Sequence, residues 1–459
     1  MRDFNNLAKE LIETYNELPL LNVGVLQDVP TATFIVGEKG ETIMAGGCDL
    51  ITGFTGPGNS FKSTLAMHFM LSILDRYASF SMVHDTEINM KVQRIINLST
   101  HIGDLHKWLT SNFTDLINLS SKSNMYADEW FAKFKKVCDL SAAQKLITWD
   151  GMGGLKTVPV STGLLDSISE AESKKSADML DVDKDDTSTS TYYMRTGLFK
   201  SKMVTELPRY CFKANNRLML TAHISGKIDM EANKYNKPDK ALSQLKDGEA
   251  IKGVSSKFNF LISTVYKSIG LSVLKNSTTR LAEYPSKGAS QHETDLYKVK
   301  VKTLRCKSGA TGLVTEIVVS QSEGVLNTLT EFEFLKQNKK FGFSGNDRNY
   351  AHVLLPEVKL QRTSIRPTID ENAKLRRAIN ISSELLQLHQ LRPNTDGLCT
   401  VEELHASLIE KGYDWDDLLE TRGWYHPNNY DWKKYGRYLS IIDFLNIRLG
   451  TYTPFWKDR

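Results

Sequence analysis

Between about residues 45 and 265, short apolar stretches alternate with stretches of helical periodicity, the pattern of a doubly wound α/β sheet. Strands are predicted at 49–53, 79–84, 163–166, 217–223 and 258–265. Ahead of them Phe4, Leu7, Leu11 and Tyr15 recur at helical spacing and predict a helix over 3–17 with one apolar face. Such a helix packs either on its own domain or on a neighbouring subunit. Two stretches interrupt the alternation. Residues 170–190 are acidic and rich in Ser and Thr, and residues 229–252 are polar with Gly248 and Gly253 at their end; both read as mobile loops. Residues 295–320 read as a β-hairpin turning at Ser308-Gly309. After about 355 the pattern becomes helical. A helix over 371–390 precedes one opened by the capping box Thr400-Val401-Glu402-Glu403, and residues 424–456 are rich in aromatics. The expected division is an N-terminal segment (1–44), a core (45–345) and a C-terminal helical accessory region (346–459), with no internal repeat.

Composition narrows this little. The 459 residues are 41% hydrophobic and 24% charged, ordinary for a soluble globular chain. No apolar run approaches the roughly 18–20 residues that would span a bilayer, and the polar N-terminus lacks a signal-peptide apolar region. A cytoplasmic protein without a membrane partner is expected. Cys48, Cys138, Cys211, Cys306 and Cys399 are scattered without a C-x-x-C pair, which argues against a zinc site or a disulfide framework and for buried thiols. A net charge of +4 neither demands nor excludes a nucleic-acid partner.

The chemistry begins where the first predicted strand meets a helix. Gly56-Pro57-Gly58-Asn59-Ser60-Phe61-Lys62-Ser63-Thr64 has the spacing of a phosphate-binding loop, whose backbone N–H groups and following helix N-terminus face phosphates. Lys62 would reach the β- and γ-phosphates of ATP, and Ser63 would coordinate Mg²⁺. Phe61 stands where the general motif has a glycine that eases a tight turn. A Gly/Pro turn before an ordinary helix is the plain alternative. The same departure carries a resemblance: the form G-P-x-x-S-F-K-S, here Gly56, Pro57, Ser60, Phe61, Lys62 and Ser63, resembles the loop of the phage UvsX-type recombinases, a branch of the RecA class.

That resemblance, covering about 45–320, implies an α/β fold: a RecA-like P-loop core with a doubly wound, mainly parallel sheet, an N-terminal assembly helix and a helical C-terminal region. It assigns roles to matching residues. In RecA-like enzymes an acid–small–Glu step closes the second strand, and Glu87 of Asp85-Thr86-Glu87 matches the glutamate that activates water; a glutamate capping the next helix is the alternative. An apolar run ending Asp-Ser supplies the metal-associated carboxylate. Asp166-Ser167 matches it, and Asp150, which ends 145–150 and leads into a glycine-rich turn, is the competing candidate. The strand over 217–223 ends in His223, matching half of the family's Asn-His γ-phosphate sensor; a surface histidine capping the strand is the alternative. Arg305 and Lys307 loosely match two basic residues that reach a neighbour's γ-phosphate, the other reading being a basic exposed strand. The loops at about 170–202 and 226–254 would bind DNA. In the first, Arg195, Lys200 and Lys202 follow Tyr192 and Tyr193; in the second, Lys234, Lys237, Lys240, Lys246 and Lys252 are balanced by carboxylates. The activity implied is ATP-dependent filament formation on single-stranded DNA with homologous pairing and strand exchange. Partners would be single- and double-stranded DNA, further copies of the chain, and phage mediator and single-strand-binding proteins. A RecA-fold hexameric helicase, or a non-catalytic RecA-like scaffold, would share the core.

Overall fold

The structure is a computed structural model that describes residues 18–182, 186–226, 249–254, 257–276, 278–290, 292–346 and 349–457. The helix expected over 3–17 and most of the polar stretch 229–252 lie outside these residues.

The centre of the molecule is a ten-stranded sheet. Its strands are β1 (Ile51–Gly56), β2 (Ala78–Asp85), β3 (Ile117–Ser121), β4 (Val160–Asp166), β5 (Asn216–Gly226), β6 (Glu249–Ile251), β7 (Thr264–Val273), β8 (Leu296–Cys306), β9 (Val314–Ser320) and β10 (Gly324–Val325). They lie in the order β10-β9-β8-β7-β1-β5-β4-β2-β3, with β6 added to β5. From β7 to β3 all neighbours are parallel; β8, β9 and β10 continue the sheet antiparallel. Every residue of β1 and β4 is buried, as central parallel strands covered on both faces must be.

Alternation along the strands divides the core. Val83, Leu164 and Met219 face one side, against Leu65, Phe69 and Ile73 of helix α1 (Lys62–Arg76). Met82, Leu165 and Leu220 face the other, against Trp130 and Phe134 of α2 (Ala127–Ala142) and Met203 and Leu207 of α3 (Asp186–Lys213).

Three expectations are corrected. Residues 258–265 are not one strand. A short helix, Lys257–Leu261, precedes β7, because Phe258 and Ile262 recur at helical spacing and pack beneath the sheet while Phe260 is exposed. The acidic stretch 170–190 is not a loop: helices occupy Lys174–Val182 and the start of α3. Met203, Val204, Leu207 and Cys211 give α3 a buried face, and that packing carries its polar first half along. The region after 346 is not purely helical, since Asn349–His352 and Leu355–Leu360 pair in an antiparallel sheet begun by Phe343–Asn346.

The hairpin over 295–320 forms as β8 and β9, with a register centred on Ser308 (Lys302 opposite Val314) but a longer connection than a tight turn. Beyond it come α4 (Asn327–Gln337), α5 (Ala373–Leu391), α6 (Val401–Glu410) and α7 (Ile441–Leu449). The capping box forms: Glu403 N donates to Thr400 Oγ1 (3.2 Å), and Thr400 N donates to Glu403 Oε2 (2.8 Å). One hydrophobic cluster unites Val29, Ala32 and Met44 with Leu296, Val318 and Phe332, and with Leu385, Leu404 and Phe444, so buried contacts run across residues 44 and 345. Among the described residues no helix is long and apolar enough to cross a membrane.

Candidate functional site

In a parallel sheet the carboxyl ends of the strands and the amino ends of the following helices meet at one edge, where ligands bind. At that edge β1 ends in Gly56 and α1 begins at Lys62. The loop between them is closed by its own side chains: Ser60 Oγ and Lys62 Nζ each donate to Pro57 O at 2.7 Å. From β7, Ser268 Oγ donates to Ser60 O at 3.0 Å. Among the described residues no side chain caps the start of α1, whose first-turn N–H groups and partial positive charge point back towards the loop.

Phe61, at the position of the usual glycine, takes the left-handed conformation (φ 59°, ψ 20°). That geometry costs a non-glycine residue about 1–2 kcal/mol. Its ring lies 5.2 Å from that of Tyr297 at 45°, and an aromatic pair contributes about 0.5–1.5 kcal/mol beyond burial. The two magnitudes are comparable, so the ring contact offsets much of the strain.

Lys62 is 7% exposed. Burial lowers its pKa, and the charges of Asp166 and Glu87 oppose the shift. Asp166 ends β4. Its carboxyl accepts hydrogen bonds from the hydroxyls of Thr221, on β5, and Ser63, on α1. Burial raises the Asp166 pKa, and those two hydrogen bonds counter the rise. The ends of β2 and β4 are latched together: Thr86 N donates to Asp166 O (2.7 Å), Thr86 Oγ1 donates to Ser167 O (2.9 Å), and Ser167 N donates to Thr86 Oγ1 (2.7 Å).

Glu87 follows directly, its Oε1 2.7 Å from His223 Nε2 at the far end of β5. Asp85 supports it by accepting from Glu87 N (2.9 Å) and Met90 N (2.6 Å), which makes Asp85 the builder of this turn. His223 is tied further. Its N–H donates to Ser169 Oγ (2.9 Å), Ser169 Oγ donates to Lys252 O (2.9 Å), and Lys252 N donates to His223 O (2.7 Å). Thus β5 and β6 form the two arms beside the site, joined through the residues between them.

Lys62, Ser63, Thr64, Asp166, Glu87 and His223 therefore converge with Gly56, Pro57, Gly58, Asn59, Ser60 and Phe61 at one edge. Asp150 does not join them. It lies in the connection of the small hairpin formed by Ile147–Thr148 and Lys156–Thr157, and its N–H donates to Pro427 O at 2.6 Å. Arg305 and Lys307 lie towards the amino ends of the parallel strands. Arg305 pairs with Val265 and donates to Phe260 O (3.4 Å), and Lys307 N donates to Ser263 O (3.1 Å), so within one chain they are apart from Lys62. Lys200, expected on a DNA-facing loop, is instead buried. Its Nζ donates to Ser169 O (2.5 Å), and burial pulls its pKa down to about 8. Tyr193, Arg195 and Lys202 are exposed on α3. Lys252 pairs with Glu170 (2.9 Å), while Lys234, Lys237, Lys240 and Lys246 lie outside the described residues.

The arrangement can hold an anion at the uncapped helix start and a hard cation at the oxygens of Ser63 and Asp166. Among the described residues no group of three or more His, Cys, Asp or Glu side chains is placed to hold a metal by itself. A cation here would draw on oxygens of a bound phosphate and water as well. Sequence reasoning passed over Thr221, Thr86 and Ser169. Thr221 was within reach of it: two residues before His223 on one strand, it shares a face with that histidine. Set against known proteins, the chain matches no family model and no curated protein.

Proposed function

We propose that this chain is a RecA-class, DNA-dependent ATPase that forms filaments on single-stranded DNA and carries out homologous pairing and strand exchange. The observation that carries the reading is the convergence of Lys62, Ser63-Asp166 and Glu87-His223 at the carboxyl ends of β1, β4, β2 and β5. Support comes also from the UvsX-like form of the loop.

In this reading the loop and the start of α1 hold the phosphates of ATP, and Ser63 with Asp166 holds Mg²⁺, which when bound neutralises charge on the phosphate oxygens. Glu87 accepts a proton from the attacking water. Its partner His223 feels whether that carboxylate is engaged and passes the difference along β5 to the arm carrying β6. The second loop, about 226–254, is proposed to contact DNA. Exposed Arg195 and Lys202, with Tyr193, suit phosphate contact and base stacking. Arg305 and Lys307, apart from Lys62 within one chain, would act on a neighbouring copy.

Three-strand pairing with a non-hydrolysable ATP analogue tests this, using the intact chain and a variant shortened within 229–250. Joint molecules are expected from the intact chain and none from the variant. Single-stranded DNA binding should fall steeply with salt. Unwinding that requires hydrolysis, without joint molecules, would favour a hexameric helicase; nucleotide binding without DNA-stimulated turnover would favour a scaffold.

A further inference from the structure

The loop that carries Lys62 leans on a strand from a different part of the chain. Phe61 stands where the general motif has a glycine, its backbone is left-handed, and its ring rests on Tyr297. Tyr297 is the second residue of β8, where its main chain is fixed on both sides, opposite Val273 of β7 and Val319 of β9. The adjacent Lys298 is paired with Glu316 (3.3 Å) and with Glu333 of α4 (3.0 Å). The second brace on the loop, Ser268 to Ser60, comes from β7 of the same antiparallel ribbon.

We infer that Tyr297 is a positioning residue for the phosphate-binding loop, holding the Phe61 ring so that the backbone keeps Lys62 and Ser63 turned towards the ligand. The inference rests on the nucleotide-binding reading above. A glycine at 61 would reach the same backbone conformation without strain but with more freedom to leave it. Phenylalanine exchanges that freedom for dependence on β8. The loop then follows any movement of the β7–β8 ribbon and, through Lys298 and Glu333, of α4.

The test uses full-length Tyr297→Ala, Tyr297→Phe, Phe61→Gly and the Tyr297→Ala/Phe61→Gly double variant. Amide hydrogen exchange at 58–62 is measured without nucleotide, and binding of a non-hydrolysable ATP analogue with Mg²⁺ is measured separately. Tyr297→Ala should speed exchange and weaken binding by about tenfold, near the upper value of one aromatic pair. Tyr297→Phe should restore both, and Tyr297→Ala should add little in the Phe61→Gly background. An equal effect in both backgrounds, or unchanged loop exchange in Tyr297→Ala, overturns the inference. If exchange responds as expected but the parent protein binds no nucleotide, the anchor stands and the ATPase reading fails.

Discussion

At the scale of single residues, Lys62 and Glu87 divide the proposed chemistry between binding and proton transfer. Lys62 is held by Pro57 O and by the charges of Asp166 and Glu87. Lys62→Ala should abolish ATP turnover with the fold intact, read from a turnover assay beside a thermal melt; normal turnover by the folded variant would remove the loop assignment. Glu87→Gln keeps the shape and loses the base, so it should bind ATP and hydrolyse it at least ~100-fold more slowly. The same assay compares carboxylates. Asp166→Asn should silence turnover and Asp150→Asn should not, because only Asp166 shares hydrogen bonds with Ser63 and Thr221. Residues 56–63 and Asp166 were legible in sequence because their signal is local: a fixed spacing after a strand, an acid at a strand's end. The pairing of Glu87 with His223 was not, since 136 residues separate them and only the parallel register of β2, β4 and β5 brings them together.

Whole elements were legible where one periodicity dominated. The buried runs of β1 and β4 read as strands because no helical pattern competes within them. The run at 258–265 satisfies both patterns, and the choice falls to Phe258, whose ring lies beneath Gly53; a Cβ there would sit 3.1 Å from it. For α3, composition pointed to a loop while Met203, Val204, Leu207 and Cys211 pointed to a helix, and burial decided. Contacts between elements were hidden altogether, the group around His101 among them. Its Nε2 is 2.8 Å from Glu323, between β9 and β10, and its Nδ1 is 3.3 Å from Asp370 of the helix Ile365–Glu371. Arg366 of that helix bridges Glu323 (2.6 Å) and Asp295 (3.0 Å). Burial alone would lower the His101 pKa, but hydrogen bonds to Asp370 and Glu323, with their charges, carry it up to about 9. A raised folded pKa stabilises most below the unfolded value of about 6.5, and that contribution is lost as pH rises through about 9. Denaturant melts of His101→Gln against the parent should therefore differ most near pH 6 and converge at about pH 10. A constant difference across that range would dismiss the charge as the cause.

On the scale of the whole molecule, the proposed activity requires copies of the chain to assemble, and the amphipathic residues 3–17 are the expected contact. Deleting residues 1–17 should weaken self-association more than nucleotide binding, and sedimentation showing unchanged assembly would return that helix to its own domain. From residue 19 onward the described chain is held by long-range hydrogen bonds. Arg217 Nη2 donates to Pro19 O (2.8 Å), Tyr425 OH to Leu20 O (2.7 Å) and Arg392 Nη2 to Ala32 O (2.6 Å). Further on, Thr42 N donates to Asp443 Oδ1 (2.6 Å) and Met44 N to the Tyr438 hydroxyl (3.0 Å). These pairs lie hundreds of residues apart in sequence, and closing such long loops early is entropically costly. Four of these five partners, Arg392, Tyr425, Tyr438 and Asp443, leave the ribosome long after residues 18–45. Until then Val29, Met44, Leu296, Val318 and Phe332 lack the helices that bury them, so the nascent chain should recruit chaperones late, and a message truncated after residue 345 should yield a product that the cell degrades.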